Sequence, residues 1–194
     1  MPAWTVVIPV KSSPSAKSRL GRGPEVAQAI ALDTIAAAVA VDGVRVIVVT
    51  ADRLIQAEAQ DLGAAIVREP SVRGLDAAIL QGLEHVEPDH GRAVLLGDLP
   101  ALSPDVLAVA LGRARRYRRA FVPDADGTGT TLVTARPGTA FQHSFGPGSA
   151  GRHRQMGMTA LRLPVTSSLR RDVDLEQHLG PDMGPRTRRA LTAD

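Results

Sequence analysis

A chain of 194 residues, 44% hydrophobic and 22% charged, is long enough to bury a core unaided, so a single domain over residues 1–194 is expected and a disordered chain is excluded. With no cysteine, disulfides and thiolate metal sites are ruled out and a cytoplasmic location is expected. No apolar run approaches the roughly 20 residues of a membrane helix, and the opening Met1-Pro2-Ala3-Trp4 lacks the basic region of a signal peptide.

Trp4 to Val10 predicts a first strand, followed by a polar loop from Lys11 to Leu20 that carries the cations Lys11, Lys17 and Arg19. An alanine-rich helix from about Glu25 to Val41 leads to a second buried strand, Val44 to Thr50. Asp52 is placed to cap a short helix ending at Leu62, with Gly63 just beyond it. A short strand, Ala65 to Val67, precedes a loop at Arg68 to Arg73, and Gly74-Leu75-Asp76 opens a helix reaching about Val86.

Ala93 to Leu96 is an apolar run without alternation, the pattern of a parallel strand buried on both faces. Gly97 then lets the backbone turn and sets Asp98 at the carboxyl end, where open α/β sheets bind ligands. Two readings stand there: a carboxylate capping local amides, or a metal ligand in a phosphate site. Ser103 with Pro104 signals a helix start, and that helix is expected to run to about Arg119. The alternation of strand and helix argues for a parallel sheet with right-handed crossovers.

The pattern then changes. Phe121-Val122 and Thr130 to Thr134 are short strand candidates flanking a turn at Asp124 to Gly129. A glycine-rich segment from Phe145 to Gly151 leads into a short helix with Arg152, His153 and Arg154, and Ala160 to Val165 reads as a last strand. Asp172-Val173-Asp174 precedes a helical piece at Leu175 to His178, and the tail is polar.

Net charge is only +3, from 21 arginines and two lysines against 20 acids. Both lysines fall in the first loop, where a compact ammonium suits a phosphate as a point charge. The run Arg113, Arg115, Arg116, Arg118, Arg119 invites a nucleic-acid reading, but only Tyr117 is aromatic, and cations at a helix C-terminus offset the dipole. A solvated helix end is expected, with no nucleic acid and no membrane among the partners.

Gly146, Gly148 and Gly151 match a dinucleotide fingerprint only formally, because no buried strand precedes them and Pro147 stiffens the turn. What survives is an anion site of glycine amides and Ser149, set against a plain surface loop. Thr128, Thr130 and Thr131 either hold a phosphate or carboxylate or merely suit a hairpin. Asp172 and Asp174 share a side if extended, and with Asp98 they supply hard oxygen ligands for Mg²⁺; alternatively Asp174 caps the next helix. The histidines lack zinc spacing, and no Ser-His-Asp arrangement or Walker A sequence is legible.

Taken in order, Pro-Val-Lys at 9–11, Lys-Ser-Arg-Leu at 17–20, Gly-Leu-Asp-Ala-Ala-Ile at 74–79, Gly-Asp-Leu-Pro-Ala-Leu at 97–102, Gly-Thr-Gly-Thr-Thr-Leu at 127–132, Phe-Gly-Pro-Gly-Ser at 145–149 and Asp-Val-Asp at 172–174 form a specific set. The set resembles the 2-phospho-L-lactate/phosphoenolpyruvate guanylyltransferases of coenzyme F420 biosynthesis, over about residues 4–176. More distantly it is similar to the molybdenum-cofactor guanylyltransferases. The resemblance implies a Rossmann-like, glycosyltransferase-A-type α/β fold with a mostly parallel central sheet and helices on both faces. It also implies transfer of GMP from GTP to phosphoenolpyruvate or 2-phospho-L-lactate, with release of pyrophosphate.

By the same resemblance, Asp98, Asp172 and Asp174 would hold Mg²⁺, and Thr131, Gly146 and Ser149 would bind the phosphorylated acid. Lys11, Lys17 and Arg19 would meet the triphosphate, with Lys17 the main charge stabiliser, Lys11 second, and Asp98 completing the catalytic set. Gly74, Leu75 and Asp76 would border the nucleoside; members often carry Asn where this chain has Asp76. A homo-oligomer is compatible with this reading. The rival enzyme, a glycosyltransferase on a similar sheet, would also place carboxylates at a sheet end but would use a nucleotide sugar.

Overall fold

Four strands of β-branched and small apolar residues lie side by side with one direction, and this parallel block organises the molecule. The computed structural model describes residues 4–10, 23–70, 74–173 and 178–193. Lys11, Lys17, Arg19 and Asp174 lie outside the described residues, as does most of the helical piece expected at Leu175 to His178.

The elements run β1 (Trp4–Pro9), α1 (Pro24–Val39), β2 (Val44–Thr50), α2 (Arg53–Asp61), β3 (Ala65–Arg68), α3 (Leu75–Leu83), β4 (Gly91–Leu95), α4 (Pro104–Ala114), β5 (Arg119–Pro123), β6 (Thr130–Ala135), α5 (Ser149–Gln155), β7 (Thr159–Ala160) and α6 (Pro185–Thr192). They build one seven-stranded sheet in the order β3-β2-β1-β4-β6-β5-β7. β1 pairs in parallel with both β2 and β4, so the chain moves outward to β3 and then returns across β1 to β4. That reversal leaves a crevice at the carboxyl ends of β1 and β4, the place where such sheets take ligands.

Alternation along the strands divides the core between two faces. Val6, Ile8, Val46 and Val48 point to the side covered by α1, α2 and α4, where Ile35, Ile55 and Leu107 meet them. Val7, Ile47 and Val49 point to the other side, against Ala78 and Ile79 of α3. Gly82 permits that close approach, because a Cβ there would overlap Val7 and Val49. Helices on both faces of a mostly parallel sheet are therefore the observed architecture, as the resemblance implied. Among the described residues no helix is long and apolar enough to cross a membrane.

Asp52 caps α2 as its position predicts, accepting the amides of Leu54 at 2.9 Å and Ile55 at 3.2 Å. Several local expectations change. β6 enters between β4 and β5 and runs antiparallel to both, because the turn after Pro123 folds the chain straight back. α4 ends at Ala114, where Arg116 and Tyr117 bond three residues back and tighten the last turn, so Arg119 begins β5 instead. The arginine run thus spans a helix end and a strand start, with Arg113 donating to the Arg162 carbonyl and Arg119 to that of Ala140.

Ser103 stands at the N-cap of α4, but its hydroxyl accepts no helix amide; its own N–H donates to Ser168 Oγ at 3.1 Å. The last strand is only Thr159–Ala160, since pairing stops after the Leu161 N–H reaches the Phe121 carbonyl and Pro164 enters a turn. The polar tail contains α6. Its first amides, on Arg186 and Thr187, donate to the buried Asp33 carboxylate of α1 at 3.2 and 2.8 Å. A Cβ at Gly184 would overlap that carboxylate. The helix was illegible in the tail because its cap comes from α1, far away in the chain.

Candidate active site

The crevice beyond β4 is a cleft of about 350 Å³ whose lining includes Asp98, Thr130, Gly146, Ser149 and Asp172. The backbone explains why these residues meet. Past the end of β4, the Leu96 N–H donates to the Thr131 carbonyl at 3.0 Å, holding the exit of the strand against β6. The Leu99 N–H donates to the buried Thr34 Oγ1 of α1 at 3.0 Å, which bends the chain and leaves Asp98 at the crest. The Asp98 carbonyl accepts from the Val173 N–H at 3.0 Å, and Pro100 accepts from Gly184 at 2.7 Å. The second of these bonds ties the Asp98 loop to the N-cap of α6, and the first ties it to the segment that carries Asp172.

That segment is anchored upstream as well. Thr131 Oγ1 donates to the Leu169 carbonyl at 2.6 Å. Arg170 is buried and donates to the carbonyls of Pro123, Asp124 and Leu163 at 2.6–3.0 Å. It holds the β5–β6 turn against the Asp172 chain, while Asp124 accepts the amides of Thr128 and Gly129 at 3.0 and 2.7 Å. Nothing in the sequence around Arg170 marked this role. Its partners are backbone carbonyls, which leave no residue-type signal.

Gly146 has φ +104, a backbone region that disfavours a Cβ, and its carbonyl accepts from the Ser149 N–H at 3.0 Å. Arg152 folds over this loop, donating to Ser144 Oγ at 2.7 Å, the Pro147 carbonyl at 2.6 Å and the Ser144 carbonyl at 3.0 Å. Ser149 Oγ donates to Thr130 Oγ1 at 3.0 Å. His153 is fully buried between Thr130 and the Ser144 amide, each at 2.9 Å, and packs on Phe121 and Phe145. Burial, then repulsion from a protonated His143 and from Arg152, pulls its pKa down to about 4. The sequence places Arg152, His153 and Arg154 in a short helix without marking a role, yet Arg152 and His153 hold the loop.

Both threonines are buried; Thr130 is among the residues lining the cleft, and Thr131 has its hydroxyl on the Leu169 carbonyl. Gly74, Leu75 and Asp76 lie at the start of α3 and are not part of this cleft's lining. His143 reaches from the segment before Gly146 to place Nδ1 3.6 Å from the exposed Asp76 carboxylate. Burial lowers the His143 pKa, and Asp76 opposes that shift.

Similarity to known proteins runs along nearly the whole chain. The family described as guanylyl transferase CofC like matches residues 4–182. A phosphoenolpyruvate guanylyltransferase from Streptomyces scabiei (strain 87.22) is 45% identical over 202 residues, covering 95% of this chain and 94% of its own. Among solved structures, a nucleotidyl transferase from Methanothermobacter superposes with a TM-score of 0.57 at 17% identity, covering 91% of this chain and 94% of the other. The manganese complex of Rv0371C from Mycobacterium tuberculosis H37Rv gives 0.57 at 19% identity, covering 99% and 100%. At such identities the structural likeness speaks for the fold alone, whereas the family match and the 45% relative each extend over most of the chain. This chain is a nucleotidyltransferase and belongs to the CofC-like guanylyl transferase family.

Proposed function

We propose that the protein transfers GMP from GTP to phosphoenolpyruvate, or to a close three-carbon phospho-acid such as 2-phospho-L-lactate, and releases pyrophosphate. The observation that carries this reading is the shared cleft, in which the Asp98 and Asp172 carboxylates stand with Gly146 and Ser149 beside the end of β4. A phosphate oxygen of the acceptor attacks the α-phosphorus of GTP. The bond from that phosphorus to the bridging oxygen of the β-phosphate breaks, and pyrophosphate leaves with the electron pair. The attacking oxygen is already anionic near neutral pH, so no general base is needed. The barrier is repulsion between two anions and their alignment.

The donors in the cleft suit a hard divalent cation, which prefers carboxylate oxygen to nitrogen or sulfur. Among the described residues no three acidic or histidine side chains form a cage. Mg²⁺ is an ion usually held by one or two carboxylates plus substrate phosphates and water. Asp98 and Asp172, with Asp174 following, would hold it. When bound it would neutralise charge on the phosphates. Lys11, Lys17 and Arg19 supply the remaining positive charge to the triphosphate, with Lys17 foremost.

At the acceptor end, Gly146 meets the acid, Ser149 acts there through the hydroxyl it donates to Thr130, and Thr131 supports them by anchoring its strand to Leu169. Gly74, Leu75 and Asp76 border the nucleoside. The test is a mass-spectrometric assay that offers GTP or ATP with phosphoenolpyruvate, phospholactate or phosphoglycerate, with and without Mg²⁺. A guanylylated acid plus pyrophosphate is expected; transfer from a nucleotide sugar without pyrophosphate would overturn the reading.

A further inference from the structure

The protons around Thr130 can be assigned from geometry. The Ser144 backbone N–H lies 2.9 Å from His153 Nε2, and an amide can only donate. Nε2 therefore carries the lone pair, and in the neutral ring the proton sits on Nδ1. Nδ1 is 2.9 Å from Thr130 Oγ1 and fills one of its lone pairs. The Ser149 hydroxyl donates to the same oxygen at 3.0 Å and fills the other. With both lone pairs occupied, Thr130 has only its own proton left to offer. Thr130 is among the residues that line the cleft.

The neighbours make such a donor useful. Asp98, Asp124, Asp126 and Asp172 all line the cleft and repel an anion. Arg152, which folds over the Gly146 loop, already donates to Ser144, Phe145 and Pro147. A donor-only hydroxyl donates to an unprotonated oxygen and has nothing to offer a group that must itself donate.

We propose that Thr130 binds the acceptor, donating its hydroxyl proton to an anionic oxygen of the phospho-acid, and that His153 is the positioning residue that aims it. This rests on the reading of the cleft as the acceptor's place. His153 does not touch the acceptor; its ring fixes the direction of a proton on another residue.

Steady-state pyrophosphate release by wild type, Thr130→Val and Thr130→Ser tests this, with KM for phosphoenolpyruvate and for GTP measured separately. Thr130→Val should raise the acceptor KM about tenfold or more, leave that for GTP within about twofold, and be largely rescued by Thr130→Ser. An unchanged acceptor KM, or an equal rise for both substrates, overturns the proposal. The ring of His153 gives a check that needs no variant: nitrogen-15 correlation spectra of the wild-type protein should show the proton on Nδ1, and a proton on Nε2 overturns it. If the wild type guanylylates none of the acids, the reading of the function fails by itself. Calorimetric titration of phosphoenolpyruvate into wild type and Thr130→Val then still decides on Thr130, through a loss of affinity or its absence.

Discussion

The amide of Val173 donates to the carbonyl oxygen of Asp98 over 3.0 Å, so the residue before Val173 and the residue at the end of β4 share a cleft. A backbone bond of this kind is independent of side-chain charge. Removing a carboxylate from either side should therefore alter chemistry far more than folding.

Asp98→Ala is accordingly expected to reduce guanylyl transfer at least about a hundredfold while the thermal midpoint stays near that of wild type, the scale on which loss of one preorganised electrostatic group is felt. Pyrophosphate release and a circular-dichroism melt on the same preparation check both halves. A variant that retains full transfer removes Asp98 from the catalytic set.

Lys17→Ala should lose roughly 2.7–4 kcal/mol of transition-state stabilisation, read as kcat/KM for GTP, if its ammonium meets the charge that develops on the triphosphate. Lys11→Ala should lose less. Ser149→Ala should instead weaken the acceptor, since Ser149 shares its hydroxyl with Thr130 on the cleft wall. Separate titrations of the two substrates distinguish these outcomes.

Asp33 joins α1 to the start of α6 through the Arg186 and Thr187 amides. Asp33→Ala leaves those amides uncapped and should cost about 1–2 kcal/mol, a fall of several degrees in Tm. Because Gly184 also donates to Pro100, the loss should reach the Asp98 loop and raise the Mg²⁺ concentration needed for half-maximal activity. Calorimetry and a Mg²⁺ titration measure the two effects.

Burial, then repulsion from a protonated His143 and from Arg152, lowers His153 from its usual 6.5 to about 4, and burial lowers His143 in the same direction. Well above pH 6.5 each ring is neutral whether the chain is folded or not, and the stability is intact. As pH falls below 6.5 the unfolded chain takes up protons that the fold refuses, so stability declines toward pH 4, by at most about 1.4 kcal/mol per pH unit for each ring. Urea midpoints at pH 7.5, 6 and 5 should fall in that order. His153→Asn should be less stable at pH 7.5 but show a shallower decline, and an equally steep one would place the proton uptake elsewhere.

Much of the architecture was legible because its signals are local. The apolar runs of β1, β2 and β4, the cap at Asp52 and the Pro104 helix start each depend on neighbours within a few residues. The end of α4 at Ala114 and the brevity of β7 are not local in this way. A tightened last turn and a proline that halts pairing are decided by which carbonyls remain in reach, and periodicity does not report that.

By itself the sequence established an α/β chain with a mostly parallel sheet, an acid beyond the fourth strand, and an ordered set of motifs resembling one enzyme family. Only the tertiary structure decided that β6 inserts antiparallel between β4 and β5, that Thr130 rather than Thr131 lines the cleft, and that α6 is capped from α1. It also decided that Arg170 and His153 hold the walls. The physical reason is one of range: a hydrophobic pattern or a cap acts over a turn or two of chain, whereas the register of a strand and the partner of a buried polar atom are chosen by segments that meet only once the sheet has closed.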